Sequence, residues 1–319
     1  MKQQNIRNQL LTHLARLLAL AACAAIAVQA AEQDPAAKAK AQQEKVKAQI
    51  EQKVKPVAPT QAPATPQKPR KLLIFTLTKG FPHSSIPLAA EAIKFVGENT
   101  KAYESVITAD PSYITADKLK EFDAICFDQC TGDPFTDPAS KAALLDFVKS
   151  GKGYIGVHAA TDCFYNWKEY GEMVGGYFNG HPFRKISVKL DDPKSPINAM
   201  FAGQGYEISD EIYTFRKPYS RDNLHILQSI DWENAAITAK GTRDDNDYAL
   251  SWIREYGQGR VFYCAFGHDD QIWWNPRILA HYLAGIQYAF GDLKADATPT
   301  SKISPAIEPA RGPELKGKK

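Results

Sequence analysis

Six histidines lie between residues 71 and 295, and four of them stand where chemistry is done in α/β proteins. His83, His158, His181 and His268 each follow a strand-like or glycine-rich segment, and ligands of open α/β sheets bind beyond the carboxyl ends of the strands. Imidazoles gathered there suit proton transfer, ligand hydrogen bonding or metal ligation. His158 is the most informative. In Gly156-Val157-His158-Ala159-Ala160 the small residues two positions either side permit a tight strand-to-helix elbow, which lifts the central side chain above the sheet. Hydrolases place Ser or Cys at such an elbow. Here the residue is His, and Cys163 lies beyond it, which disfavours a nucleophilic triad. His181 closes the stretch Gly175-Gly176-Tyr177-Phe178-Asn179-Gly180-His181-Pro182. His225, at a strand start, and His281, inside a late helix, read as structural.

Carboxylates and aromatic rings complete the candidate set. Asp162, four residues after His158, either caps the next helix or orients a histidine. Of the pair Asp210-Glu211, Glu211 is expected to face the pocket and to join the four histidines in catalysis. Asp162, Tyr213, Trp252 and Trp273 are expected to hold or wall a ligand, since sugar rings stack their C–H faces on aromatic side chains while polar groups take the hydroxyls. The histidines His83, His158, His181 and His268 form a candidate ligand set for a divalent ion such as zinc. No pair has the i, i+4 spacing of an H-E-x-x-H helix, so such ligands converge only through the fold.

The elements that must position these residues alternate along the chain. Strand signals occur at 71–77, 103–108, 123–128, 154–158 and 259–265. Helix signals occur at 84–99, from Thr115 to Glu121, from Asp137-Pro138 to Ser150, and at 276–290. Strands with helical crossovers imply a parallel sheet covered on both faces. The segments 184–190 and 235–240 read as antiparallel additions. Four cysteines of this region, Cys126, Cys130, Cys163 and Cys264, read as buried thiols, although their spacing leaves a disulfide open.

The flanks differ in composition. Lys2, Arg7 and Arg16 precede the apolar run 17–28, and Val28-Gln29-Ala30 places small residues for cleavage, so residues 1–30 read as an export signal. That run is shorter than the ~20 residues needed to span a bilayer. Leu20-Ala21-Ala22-Cys23 also resembles a lipobox, with lipidation of Cys23 the less favoured reading. Residues 31–70, rich in Ala, Lys and Gln and then in Pro, read as a linker. Residues 296–319 read as a disordered Pro/Lys tail. With these basic flanks set aside, segment 71–295 carries a formal charge of −6 within the chain total of +3, so it lacks the basic face of a nucleic-acid binder. Localisation is therefore expected to be periplasmic or extracellular, with no membrane span in the mature chain and no nucleic-acid partner. The oligomeric state is not readable.

Five ordered blocks resemble the ThuA-like, or trehalose-utilisation, family: residues 78–86 (TKGFPHSSI), 156–162 (GVHAATD), 174–182 (VGGYFNGHP), 210–213 (DEIY) and 251–268 (SWIREYGQGRVFYCAFGH). The resemblance implies a class I glutamine amidotransferase-like fold, a flavodoxin-like three-layer α/β sandwich with a mostly parallel sheet. His158 stands where the amidotransferase cysteine would be, which removes glutamine hydrolysis. The family is associated with disaccharides and 3-keto sugars. The expectation is an exported carbohydrate-active hydrolase or lyase using histidine acid/base chemistry, with or without a metal. The alternative is a non-catalytic sugar-binding module tethered at the cell envelope.

Overall fold

The structure, a computed structural model, describes residues 35–234, 241 and 243–315. The export signal, Cys23 and the strand expected at 235–240 lie outside the described residues. The chain divides into two compact units, residues 1–49 and 50–319. In the first, helix α1 spans Pro35–Gln49. No helix among the described residues is long and apolar enough to cross a membrane.

The second unit is built on a nine-stranded sheet. Strands β1 (Lys71–Phe75), β2 (Glu104–Thr108), β3 (Ala124–Asp128) and β4 (Gly153–Val157) run parallel, and β11 (Gly259–Cys264) joins β4 in the same sense. The remaining strands are β6 (Phe183–Leu190), β7 (Tyr206–Ile212), β9 (His225–Ile230) and β10 (Ala249–Tyr256). The sheet order is β2-β1-β3-β4-β11-β10-β9-β6-β7, antiparallel from β11 onward. A small ribbon pairs β5 (Tyr177–Phe178) with β8 (Phe215–Arg216).

Alternation along each strand explains the two core layers. Leu72, Ile74, Cys126, Ile155 and Phe262 face one way, toward α2 (Ile86–Thr100) and α6 (Pro276–Phe290). Leu73, Phe75, Phe127, Tyr154 and Val261 face the other, toward α4 (Pro138–Lys149) and α5 (Lys168–Val174). Between β2 and β3 lie a single 3-10 turn (Pro111–Tyr113) and the short α3 (Ala116–Leu119). The result is the expected mostly parallel α/β sandwich. All four cysteines of the second unit are buried and free.

Two flanking expectations need correction. Within residues 50–69, read as part of a solvated linker, Val54 and Ala58 join the core. The Ala64 N–H donates to Gln287 Oε1 at 2.9 Å, and the Gln67 N–H donates to Asp292 at 3.1 Å. Residues 296–315, read as disordered, form a strap across the antiparallel half. Leu190 and Ala310 exchange backbone hydrogen bonds of 2.9 and 3.0 Å, and Arg311 pairs with Asp231. Prolines lack periodic apolar partners in sequence, yet an extended segment can settle in a groove through backbone hydrogen bonds.

Candidate functional site

The carboxyl ends of β1, β4, β7 and β11 bring four side chains together: His83, His158, Glu211 and His268. Their ligating atoms all lie within 4.8 Å of one another. The backbone explains why. β4 ends at Val157, and His158 takes a left-handed φ of 43° at the start of a tight turn. Few non-glycine residues adopt that conformation, and it persists where surroundings over-determine it. A side chain at Gly156 would press on Tyr263 and Ala160, so the small residues around His158 are needed. Gly267, at φ 147°, lets the β11 loop pass over the His158 Cβ and the Trp273 ring. Asp210 and Glu211 point to opposite faces of β7. Fully buried Asp210 accepts the Gly267 N–H at 2.7 Å and the Asp269 N–H at 2.9 Å, which holds the loop carrying His268. Ser85 Oγ lies 3.0 Å from both Gln129 Oε1 and the Gly267 carbonyl, tying the His83 loop to the same frame.

The donor atoms are aimed at one another without pairing. His158 Nδ1 lies 2.6 Å from the Ala265 carbonyl, so that nitrogen carries the proton and Nε2 presents a lone pair. That Nε2, His83 Nδ1 and His268 Nδ1 are all buried without a hydrogen-bond partner. Glu211 Oε2 lies 3.5 Å from His158 Nε2 and 3.0 Å from His268 Nδ1, close contacts but not aligned as hydrogen bonds. The rings of His83 and His158, and of His83 and His268, meet edge to face at 5.1 Å. Burial, reinforced by the neighbouring imidazoles, lowers the His83 pKa to about 3, so it is neutral. Burial works against the Glu211 charge, but His158 and His268 outweigh it and hold the carboxyl well below the usual carboxylate range. Glu211 raises the His268 pKa, against burial. A divalent metal requires neutral imidazoles and ionised carboxylates, and His83 and Glu211 are held in those states. Three imidazoles with one carboxylate fit zinc or a similar first-row ion.

The other candidates are placed differently. His181 is not among the four converging groups. It is half-exposed at the rim, with Nδ1 3.4 Å from Glu211 Oε1. The expected ligand set of four histidines is thus corrected: Glu211 stands where His181 was expected. Tyr213 packs on His158 with ring centroids 4.1 Å apart, and is almost wholly buried. Asp162 ends the short turn that begins at His158 and does not cap the following helix, whose N-cap is Trp167. Its carboxylate accepts the Tyr165 hydroxyl, and burial raises its pKa. Trp252 and Trp273 are not pocket walls, because both are fully buried. Trp252 stacks on Tyr263 at 4.2 Å and donates to the Val174 carbonyl. Trp273 supports the site from below, its Nε1 donating to the Gly267 carbonyl at 3.1 Å. His225 and His281 are structural: His281 bridges Ser251 and Ile197, and His225 bridges Asp192 and Thr298. The role of Asp210 was missed, although the alternation in Tyr206–Ile212 (YEISDEI) marks a strand whose successive acids must face opposite ways.

Comparison with known proteins agrees with this architecture. A ThuA-like protein from Bacteroides uniformis ATCC 8492 superposes with a TM-score of 0.58 at 20% identity, covering 76% of this chain and 96% of that one. One from Parabacteroides merdae ATCC 43184 gives 0.53 at 18% identity, covering 72% and 93%. At these identities the likeness is one of fold. Among curated proteins none matches the sequence. The ThuA family, described as trehalose utilisation, matches residues 71–289, more than half of the sequence, and the chain belongs to that family.

Proposed function

We propose that His83, His158, Glu211 and His268 hold a divalent metal in an exported enzyme that acts on an oxidised disaccharide of the trehalose type. The observation that carries this reading is the convergence of three buried imidazole nitrogens, none with an aligned hydrogen bond, on one carboxylate, with the ring of His158 fixed from behind by the Ala265 carbonyl. A bound ion would supply Lewis-acid polarisation of a sugar oxygen. The family description supports a sugar substrate, and the leader-like residues 1–30 support export.

Side chains committed to a metal cannot also carry protons, so acid/base work falls to groups beside the cluster. His181, at the rim beside Glu211, is the base, and Asp162, whose carboxyl burial keeps more protonated, is the acid. In a 3-keto glycoside the C–H next to the ketone is acidic. His181 takes that proton, and the C–H electron pair forms a C=C bond. The glycosidic C–O pair leaves with the departing oxygen, which collects a proton from Asp162. No second carboxylate is needed opposite the acid, unlike ordinary glycoside hydrolysis.

Three measurements test the reading. Elemental analysis of the full chain should find about one zinc, manganese, iron or nickel per molecule, lost in Glu211→Gln. His181→Ala should keep the metal and lose about 10²–10⁴ in turnover of a 3-keto disaccharide. No stoichiometric metal after loading with each ion overturns the metal centre. Unchanged turnover in His181→Ala overturns the proton assignment. Sugar binding without turnover would leave the tethered binding module. Intact mass of the exported chain should show a new terminus after Ala30.

A further inference from the structure

Large aromatic rings are costly to leave in water, and among the described residues the exposed large hydrophobics are Phe81 and Tyr165. Phe81 borders the histidine cluster, and Tyr165 is tied to Asp162 at the end of the turn that begins with His158. The Phe81 ring lies 4.9 Å from His83, edge to face, and is 61% exposed. The Tyr165 hydroxyl donates to the Asp162 carboxylate, and the Arg216 guanidinium lies 4.8 Å over its ring. Beside Tyr165 opens a hollow of about 370 Å³, lined also by Asn166, Tyr177 and Lys217.

Neither ring sits on a loose loop. The Lys79 and Gly80 N–H groups donate to the Thr131 carbonyl at 2.9 and 3.2 Å, and Thr131 Oγ1 donates to the Phe81 carbonyl at 3.0 Å. The next residue, Gly132, donates to the Asp162 carbonyl and accepts from the Phe164 N–H, each at 2.9 Å. Gly132 has a φ of 69°, and a Cβ there would stand 2.9 Å from the Gly80 nitrogen. One backbone segment therefore fixes the spacing between the Phe81 loop and the Tyr165 loop. Rigid, solvent-facing aromatics next to a polar cluster are preorganised binding surface.

We infer that Phe81 and Tyr165 are two stacking platforms for a two-ring carbohydrate, one ring on Phe81 beside the cluster and the second in the hollow at Tyr165. Arg216 and Lys217 donate to hydroxyls of the second ring. This deepens the sugar reading above and rests on it for the substrate class, but not on the metal or on turnover.

The test is calorimetric titration of the full chain, as purified, with trehalose and with methyl α-D-glucopyranoside. Phe81→Ala should weaken both ligands about tenfold, the effect of one lost stacking contact of about 1.4 kcal/mol. Tyr165→Ala should lower the trehalose-to-monosaccharide affinity ratio about tenfold. Tyr165→Phe, which keeps the ring, should preserve that ratio. Melting curves check that each variant is folded. An unchanged ratio in Tyr165→Ala, or binding of neither sugar by the parent chain, overturns the inference. The metal content, measured separately, continues to judge the metal centre in either case.

Discussion

At the scale of single residues, the site depends on Asp210 as much as on the groups that would touch a ligand. Asp210 touches no candidate ligand atom, yet its two hydrogen bonds set the height of the loop bearing His268. Groups of this kind affect metal affinity by about 10–100-fold. Asp210→Ala is therefore expected to weaken zinc binding by that factor in a competitive chelator titration, with the four donors chemically intact. Affinity equal to the parent's would show that the loop is held by other means. His83, His158 and His268 were legible in the sequence because each follows a strand signal, whereas His181, which follows a glycine-rich stretch, stays outside the converging group. Which carboxylate faces them needed the pleat of β7. The tryptophans misled because a large ring near a site element has no direction in sequence: Trp252 and Trp273 point into packing, and Phe81 and Tyr165 point out.

At the scale of elements, the parallel half was readable and the antiparallel half largely was not. β1, β3, β4 and β11 are short apolar runs covered on both faces, with recognisable helices between them. β7 mixes polar residues into its pattern, and β9 and β10 carry His225, Ser229, Ser251 and Arg254, so neither period nor composition marked them clearly. The strap over this half is tied by His225. Its Nδ1 lies 2.8 Å from the Thr298 carbonyl and its Nε2 3.1 Å from Asp192. Burial opposes charge there, but Asp192 and Thr298 outweigh it and raise the pKa above 6.5. A raised folded-state pKa gives stability that is complete below the unfolded value and lost as pH rises through the folded one. The melting temperature is thus expected to fall as pH rises through the raised value of His225. A charged hydrogen bond of about 1.5 kcal/mol corresponds to roughly 3–6 °C in a domain of this size. The parent and His225→Gln should differ by about that amount in mildly acidic buffer and converge once pH has passed the raised value of His225. A constant difference across the range would assign the effect to packing instead.

At the scale of the whole molecule, the folding unit exceeds its family match at both ends. Val54 has no exposure and Ala58 very little, and Arg70 pairs with fully buried Asp292 across 222 residues of chain. Burying a valine contributes about 1.5–3 kcal/mol, and each severed charged hydrogen bond removes a comparable amount. A fragment of residues 71–295 is therefore expected to melt at least about 8 °C below one of residues 50–315, by calorimetry. Equal melting temperatures would show that both flanks are dispensable. The extended flanks were illegible as packed structure because proline-rich chain offers no periodic apolar face. The strand order has another consequence. β11, late in sequence, lies in the middle of the sheet between β4 and β10. A polypeptide cut short before residue 259 would be left with two separate, mostly apolar borders, GYIGV and ALSWIREY, each with a row of unsatisfied amides. Such borders recruit other strands. Incomplete products of this gene should therefore clump rather than persist as inert fragments, and a peptide of residues 259–264 supplied in trans should suppress the clumping.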